Sequence, residues 1–289
     1  MSFRMHAALV IAKRRIFESY LSPGYYIAQA VGLLLSYFLI SGFVSSIDSS
    51  GFNYMLNPLY ELIGRSLSGT FGLTFLKKLF ASGPFQFVFY VSIIPVFLYL
   101  SLSTVFHFCL EKKVGAIELL TYGPVDGTSY FLAFFIKDMV LTILYLLLLI
   151  LFLSAAALLN NLVLGLAFFY VLVVVFFMMM LLYTISIMIS VLTDSSASAI
   201  ALYIAVIFLF LIVLMGSFTI ISTYITSFSS VLSWVINWVS PFFYGGLAIS
   251  FIEAGYIVNY LLILLVMTVL SCLFLLLSHL VIKVKGVHS

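Results

Sequence analysis

The run LTILYLLLLILFLSAAALL, residues 141–159, decides the fold because it carries no charge and does not alternate apolar with polar positions. A run of this length crosses a bilayer as an α-helix, whereas a membrane β-strand requires alternation. Of the 289 residues, 65% are hydrophobic and 7% charged, whereas soluble domains are about 25% charged. The sequence therefore predicts an all-α integral membrane protein, with residues 1–289 forming a single transmembrane domain.

Further apolar runs predict six transmembrane helices, or spans. We place them at residues 25–47, 84–110, 130–159, 162–192, 198–221 and 256–282. Lys137 and Asp138 fall about two turns inside the third span, and the span centres carry no ionisable residue. Since a charge at the bilayer centre usually marks an ion path, this pattern argues against an ion-coupled carrier.

Three further segments are predicted to lie at the membrane interfaces. An N-terminal amphipathic helix at residues 5–20 has apolar residues at helical spacing, and its charged residues include Lys13, Arg14, Arg15 and Glu18. Residues 48–83 form an extracytoplasmic amphipathic segment, in which Asn57-Pro58 marks a helix start. Before span six, Trp234, Trp238 and Gly245-Gly246 predict a broken segment at the outer interface.

The distribution of basic residues predicts the orientation. With six spans both termini lie on one side, and that side carries nine of the twelve lysines and arginines. By the positive-inside rule both termini of this multi-pass protein are cytoplasmic. The three basic residues on the other side are Arg65, Lys77 and Lys78.

Motifs of catalysis and nucleotide binding are absent from the sequence. It contains no GxxxxGK[ST], HExxH or GxSxG, so we expect neither an enzyme, nor a catalytic residue, nor a cofactor bound by this chain. Cys109 and Cys272 form no CxxC pair and the four histidines are scattered, so no metal site is predicted. A net charge of +3 without a polybasic tract excludes nucleic acid as a predicted partner.

The segment EKKVGAIELLTYGPVDG, residues 111–127, is the largest polar loop on the predicted cytoplasmic side. Together with the preceding residues 94–110, it resembles the signature of ABC type-2 exporter permeases, a pattern like E-x-x-x-G-T-x-E-L-L-x-x-x-P. The closest subgroup is the gliding-motility-type permeases, which also carry a proline inside span two. The positions that match are Glu111, Gly115, Glu118, Leu119, Leu120 and Pro124.

The resemblance is supported by an interfacial basic helix, a basic tail and the Ser240-Pro241 pair before the last span. The chain departs from the family at Ala116, where Thr or Ser is usual, and at Gly123, where Ser is common. The Gly-Lys pair that opens span three in the family is replaced by Ala133 and Phe134, which weakens any role for Lys137. The residues after Ser240-Pro241 also differ, which leaves the substrate class open.

The resemblance implies that residues 111–127 contain a cytoplasmic coupling helix between spans two and three. It also implies a bacterial cytoplasmic (inner) membrane, two copies of a separate ABC ATPase that binds ATP and Mg²⁺, and a second permease subunit, identical or homologous. Membrane lipid and an extracytoplasmic accessory protein complete the expected partners. The expected ATPase-coupling residues are Glu111, Lys113, Val114, Gly115, Ile117, Glu118, Leu119, Leu120 and Pro124.

We expect Glu111, at the bilayer edge, to accept hydrogen bonds from the interfacial helix. The leading hypothesis is an ATP-driven export permease, for which an amphipathic or lipid-like substrate is one candidate. The alternative is a membrane scaffold or assembly subunit that transports nothing. Taken alone, residues 111–127 fit an ordinary solvated loop between two spans equally well.

Overall fold

The structure is a computed structural model that describes residues 3–48, 51–52, 58, 84–114, 127–218 and 236–285. In this part of the chain, eight long helices are accompanied by one two-residue antiparallel pairing of β1 with β2. In chain order the elements are α1 (Phe3–Tyr20), α2 (Pro23–Ser45), β1 (Ile47–Asp48), β2 (Gly51–Phe52), α3 (Phe85–Lys113), α4 (Gly127–Leu159), α5 (Leu166–Leu192), α6 (Ser196–Phe218), α7 (Pro241–Glu253) and α8 (Ile257–Lys285).

The helical, multi-pass architecture expected from the sequence is confirmed. Within the described residues, five helices are long and apolar enough to cross a membrane, namely α2, α3, α4, α5 and α8. A further helix, α6, is apolar over Ser196–Leu211. The protein is therefore a multi-pass membrane protein, and the sixth span stays a prediction.

Two central helices, α3 and α5, organise the bundle. The α3 helix packs against α2, α4, α5 and α6, while α5 also packs against α7 and α8. The N-terminal α1 lies along α4, to which Ala8 and Ala12 present a fully buried face. Leu9 and Tyr20, from the apolar stripe of α1, remain more than a third exposed.

The contact between α2 and α3 depends on small residues. A Cβ atom on Gly32 would stand 2.1 Å from Tyr145 Oη and 2.5 Å from the Ser92 carbonyl oxygen. One turn along α2, the Ser36 hydroxyl is hydrogen-bonded to that of Ser92. In lipid, helices associate through such close packing and polar contacts, because the surrounding acyl chains are as apolar as the helices.

Tyrosine hydroxyls join helices that are distant in sequence. Tyr145 of α4 donates to the Ser92 carbonyl of α3 at 2.7 Å, one turn before Pro95, whose ring weakens the helical hydrogen bonds of that turn. Tyr25 of α2 donates to the Leu141 carbonyl of α4, also at 2.7 Å. Since water does not reach these hydroxyls, their partners must come from the protein.

Local sequence sets where several helices begin and end. Pro23 occupies the first turn of α2, where its missing N–H costs nothing. Asn161 ends α4 with a φ of 53°, and the Leu162 amide donates back to the Ala157 carbonyl at 2.9 Å. Gly255, with a φ of 77°, ends α7 in the same way, through the Tyr256 amide and the Phe251 carbonyl.

Some helix boundaries differ from the sequence expectation. The second span, predicted to end at residue 110, continues to Lys113, so Glu111 belongs to the last turn of α3. The fourth begins at Leu166 instead of residue 162. Of the segment predicted to be broken before the last span, Pro241–Glu253 is one continuous helix that includes both glycines and packs against α5 and α8, whereas Ser240 before it is not helical.

Other predicted features fall on residues that the structure does not describe. These are most of the amphipathic segment 48–83, the coupling segment from residue 115 to residue 126, and residues 219–235 of the segment before the last span.

Candidate functional site

The last turn of α3 carries the charged residues that precede the predicted coupling segment. Glu111 and Lys112 are successive residues, so their side chains leave the helix in directions about 100° apart and reach different neighbours. Both are mostly buried, with 15% and 11% of their side chains exposed. This turn is therefore held by two separate ion pairs.

On one side, Glu111 pairs with α1. Arg15 Nη2 donates to Glu111 Oε1 and, at 3.1 Å, to the hydroxyl of Tyr130 on α4. The same guanidinium donates through Nη1 to Glu18 Oε2 at 3.2 Å. Arg15 thus joins α1, α3 and α4, and its rigid fork of donors suits this role. The bond from Arg15 to Glu111 is the hydrogen bond that the sequence predicted between the N-terminal helix and Glu111.

On the other side, Lys112 pairs with the turn between α5 and α6. Lys112 Nζ donates to Asp194 Oδ1 at 2.6 Å and to the Thr193 carbonyl at 3.3 Å. The neighbouring Cys109 thiol, fully buried, lies 3.6 Å from the Ser190 carbonyl of α5. The end of α3 is consequently tied to α1 and α4 on one side and to α5 and α6 on the other.

Deeper in the bundle, a buried ion pair lies on α4. Lys137 and Asp138 have 2% and 0% of their side chains exposed, and Nζ stands 3.0 Å from Oδ1. Thr104 of α3 completes the cluster: its hydroxyl accepts from Lys137 Nζ at 2.9 Å and donates to Asp138 Oδ2 at 2.6 Å. A buried charge is tolerated only with such partners, since desolvation opposes it strongly.

An aromatic cluster separates this pair from Arg15. Arg15 Cζ and Lys137 Nζ each lie 5.3 Å from the centroid of the Phe134 ring, within cation–π range. Phe134 in turn packs edge-on against Phe108 and Tyr130. The polar contacts at the end of α3 therefore continue, through one aromatic ring, to the interior of the bundle.

Ion pairs hold the charged side chains at the end of α3 and in the cluster below it. Glu111, Lys112, Lys137 and Asp138 each belong to such a pair, and in the described residues no group of three or more His, Cys, Asp or Glu side chains could hold a metal ion. The paired charges fix the direction in which the chain leaves α3 toward residue 115. A push on that segment would be carried to α1, α4 and the α5–α6 turn.

The structure brings together some of the residues predicted for this site and not others. Arg15 and Glu111 are in contact, and Arg14 pairs with Glu18 at 2.8 Å on the surface of α1. Lys13, Lys113 and Val114 are exposed. The remaining predicted coupling residues lie outside the described part of the chain, namely Gly115, Ile117, Glu118, Leu119, Leu120 and Pro124.

Sequence reasoning missed several members of the site. Lys112 was not singled out beside Glu111, and Asp194 is 82 residues away from it in sequence. The departure from the family pattern in span three weakened the case for a role of Lys137. In the structure, Lys137 belongs to a fully buried cluster with Asp138 and Thr104. Two adjacent opposite charges inside an apolar span are the signal that could have identified this cluster.

Comparison with known proteins adds no relative to this picture. No family model matches the chain, and neither the curated proteins nor the solved structures provide a match.

Proposed function

We propose that this protein is the transmembrane permease subunit of an ATP-driven ABC exporter. Its substrate crosses the cytoplasmic membrane of a bacterium, through six spans with both termini in the cytoplasm. A separate ATPase, present in two copies, supplies the energy, and a second permease subunit completes the complex. The substrate class stays open, with an amphipathic or lipid-like molecule as one candidate.

One observation carries the proposal: the paired charges at the end of α3 directly precede the segment with the exporter pattern. Glu111 is bound to Arg15 of α1 and Lys112 to Asp194 in the α5–α6 turn, so α3 is held on two sides just before the chain enters residues 115–126. A coupling helix needs such a rigid base, because motion of an ATPase reaches the spans only through fixed contacts. An ordinary solvated loop between two spans needs no rigid base.

The proposed division of roles combines these contacts with the sequence pattern of the segment that follows α3. We expect Val114, Ile117, Leu119 and Leu120 to supply the apolar face that enters a cleft on the ATPase, with Lys113 and Glu118 at its polar rim. Arg15 and Glu111 pass the movement to α1 and α4. ATP and Mg²⁺ are bound by the partner, and this chain supplies no catalytic group.

The experiment is to purify the full-length chain from its native cells with its bound partners and to reconstitute the complex in liposomes. We expect an ATPase subunit to co-purify in equal number with the permease. Leu120→Asp should abolish the response of ATP hydrolysis to the permease while leaving the spans folded. The control Leu147→Met changes a half-exposed residue of α4 without adding a polar group and should keep both assembly and activity.

Two outcomes would contradict the proposal. If no ATPase co-purifies, the scaffold alternative is favoured. If Leu120→Asp retains full assembly and full ATPase response, the coupling role of the segment is wrong.

A further inference from the structure

A cavity of about 650 Å³ lies between α3, α5, α6 and α7. Its volume falls within the roughly 300–1,000 Å³ that small-molecule sites occupy. Along α3 the lining runs from Tyr90 to Leu102, which at a rise of 1.5 Å per residue is a length of about 18 Å. The cavity is thus long enough for an extended chain.

The lining of the cavity excludes a polar ligand. The described residues around it are aliphatic, aromatic, methionine or glycine, and only Tyr90 and Tyr203 add a hydroxyl. Apart from these two hydroxyls, which have no hydrogen-bond partner among the described residues, the lining offers nothing to replace the water that a charged group would lose. The chemistry that fits this lining is a hydrocarbon chain.

Two adjacent glycines shape the wall formed by α7. Phe242, Gly245, Gly246 and Ile249 follow one helical face toward the cavity. A Cβ atom on Gly246 would meet nothing within 4 Å, and one on Gly245 would approach Met178 Sδ at 3.2 Å. The missing side chains leave a notch in an otherwise crowded helix face.

The mouth of the cavity is continuous with the apolar outer surface of the spans. Ile94 and Leu98 on α3, and Phe208 on α6, line the cavity and are also 47%, 38% and 59% exposed. They belong to apolar helices, so this outer surface faces lipid and not water. A molecule entering from here comes from the bilayer.

We infer that this cavity binds one hydrocarbon chain of a membrane lipid, which enters sideways between α3 and α6. The charged headgroup remains outside, since the described lining residues include no charged partner for it. An unfilled space of this size would deprive partly exposed lining residues such as Ile207, Phe242 and Ile249 of packing contacts that a hydrocarbon chain supplies. The inference concerns occupancy alone and does not rest on a partner ATPase.

The test uses the full-length chain in lipid nanodiscs that contain a phosphatidylcholine with a photoreactive diazirine on one acyl chain. After illumination, the labelled positions are mapped by mass spectrometry. We expect label on Met178, Met179 and Leu182, which have at most 4% of their surface exposed and are shielded from bulk lipid. Leu151, 69% exposed on α4, should be labelled by bulk lipid in any case.

A variant that fills the notch separates binding in the cavity from general lipid contact. In Gly246→Phe the ring occupies the space of several methylene groups, so label on residues 178–182 should fall roughly tenfold, while label on α4 should stay constant. Leu151→Phe, which enlarges a residue outside the cavity, is the matched control and should change neither.

The inference is overturned if the unaltered protein carries label only on exposed residues such as Leu151. A second copy of the chain that covered the mouth of the cavity would give the same result, and it too would overturn the inference. It is equally overturned if Gly246→Phe elutes as the unaltered protein does but retains the label on residues 178–182. Should that variant fail to fold, mapping of the unaltered protein decides the question alone.

Discussion

The two halves of α3 contact their neighbours by different means. Toward its start, Ser92 meets Gly32 and Ser36 of α2 through close backbone approach and hydroxyl hydrogen bonds. Toward its end, Thr104 and Glu111 meet α4 and α1 through ionic groups. The first half resembles the static packing of membrane helices, whereas the second concentrates charge beside the proposed coupling segment. Close backbone packing and ionic contacts are therefore separated along one helix.

The largest effect is expected at the buried ion pair. Asp138→Ala leaves Lys137 buried without its carboxylate partner, so we expect a loss of about 3–5 kcal/mol in the free energy of unfolding. Unfolding in mixed detergent micelles, followed by circular dichroism, measures this value. The double variant Lys137→Met/Asp138→Leu should lose less than Asp138→Ala alone. If the double variant lost as much stability as Lys137→Met and Asp138→Leu lose together when each is measured alone, the two charges would not be coupled.

The second-largest effect is expected at Gly32, where helices pack closely without any charged group. Gly32→Ala places a methyl group against Tyr145 Oη and the Ser92 carbonyl, so we expect destabilisation by about 1–3 kcal/mol. The melting temperature in detergent measures it. Gly246→Ala is the control, since nothing stands within 4 Å of its new Cβ, and it should melt at the same temperature as the unaltered protein or slightly above it, because alanine favours a helix more than glycine does. Equal melting of both variants would mean that α2 does not pack on α3 as described.

A smaller effect is expected where α1 meets α3. Arg15→Ala and Glu111→Ala each remove one side of a mostly buried pair. Their double-mutant cycle should give a coupling energy of about 0.5–3 kcal/mol. Since both side chains lie at the proposed coupling path, either variant should also weaken the response of a partner ATPase. If the stability losses of the two single variants simply added in the double variant, Arg15 and Glu111 would not be coupled, and Arg15 would have no role in the proposed coupling path.

The smallest effect is expected at Lys112. Its partner Asp194 is 67% exposed, so Asp194→Asn should cost less than about 1 kcal/mol. The loss should shrink further in high salt, which screens exposed charges. Measurement of unfolding at two salt concentrations tests both points. A loss as large as that of Asp138→Ala would mean that this pair, too, is shielded from solvent.

The sequence was informative wherever a local rule determines the structure. Apolar runs located the membrane helices to within a few residues, since backbone in lipid must form its own hydrogen bonds. Asn160-Asn161 marked the end of α4, because asparagine tolerates the left-handed conformation that Asn161 adopts. At Gly245-Gly246 no local rule predicts the helix: α7 continues through both glycines because packing against α5 and α8 outweighs their weak helix propensity.

Contacts between distant helices could not be inferred in this way. Nothing near Gly32 indicates that Tyr145 will lie against it, and nothing near Lys112 points to Asp194. The partner of Lys137 was adjacent in sequence, but the role of Thr104 depends on how α3 crosses α4. Such pairings follow from the register of packed helices, which hydropathy alone does not determine.

The most direct test of the proposed function is a photo-cross-linking amino acid placed at residue 118 of the full-length chain in its native cells. After illumination, we expect an adduct with a protein that carries the GxxxxGK[ST] motif absent from this chain. The same amino acid at residue 147, on the half-exposed outer face of α4, should give no such adduct. An adduct at residue 118 with lipid alone, or with no ATPase among its protein partners, would contradict the proposal.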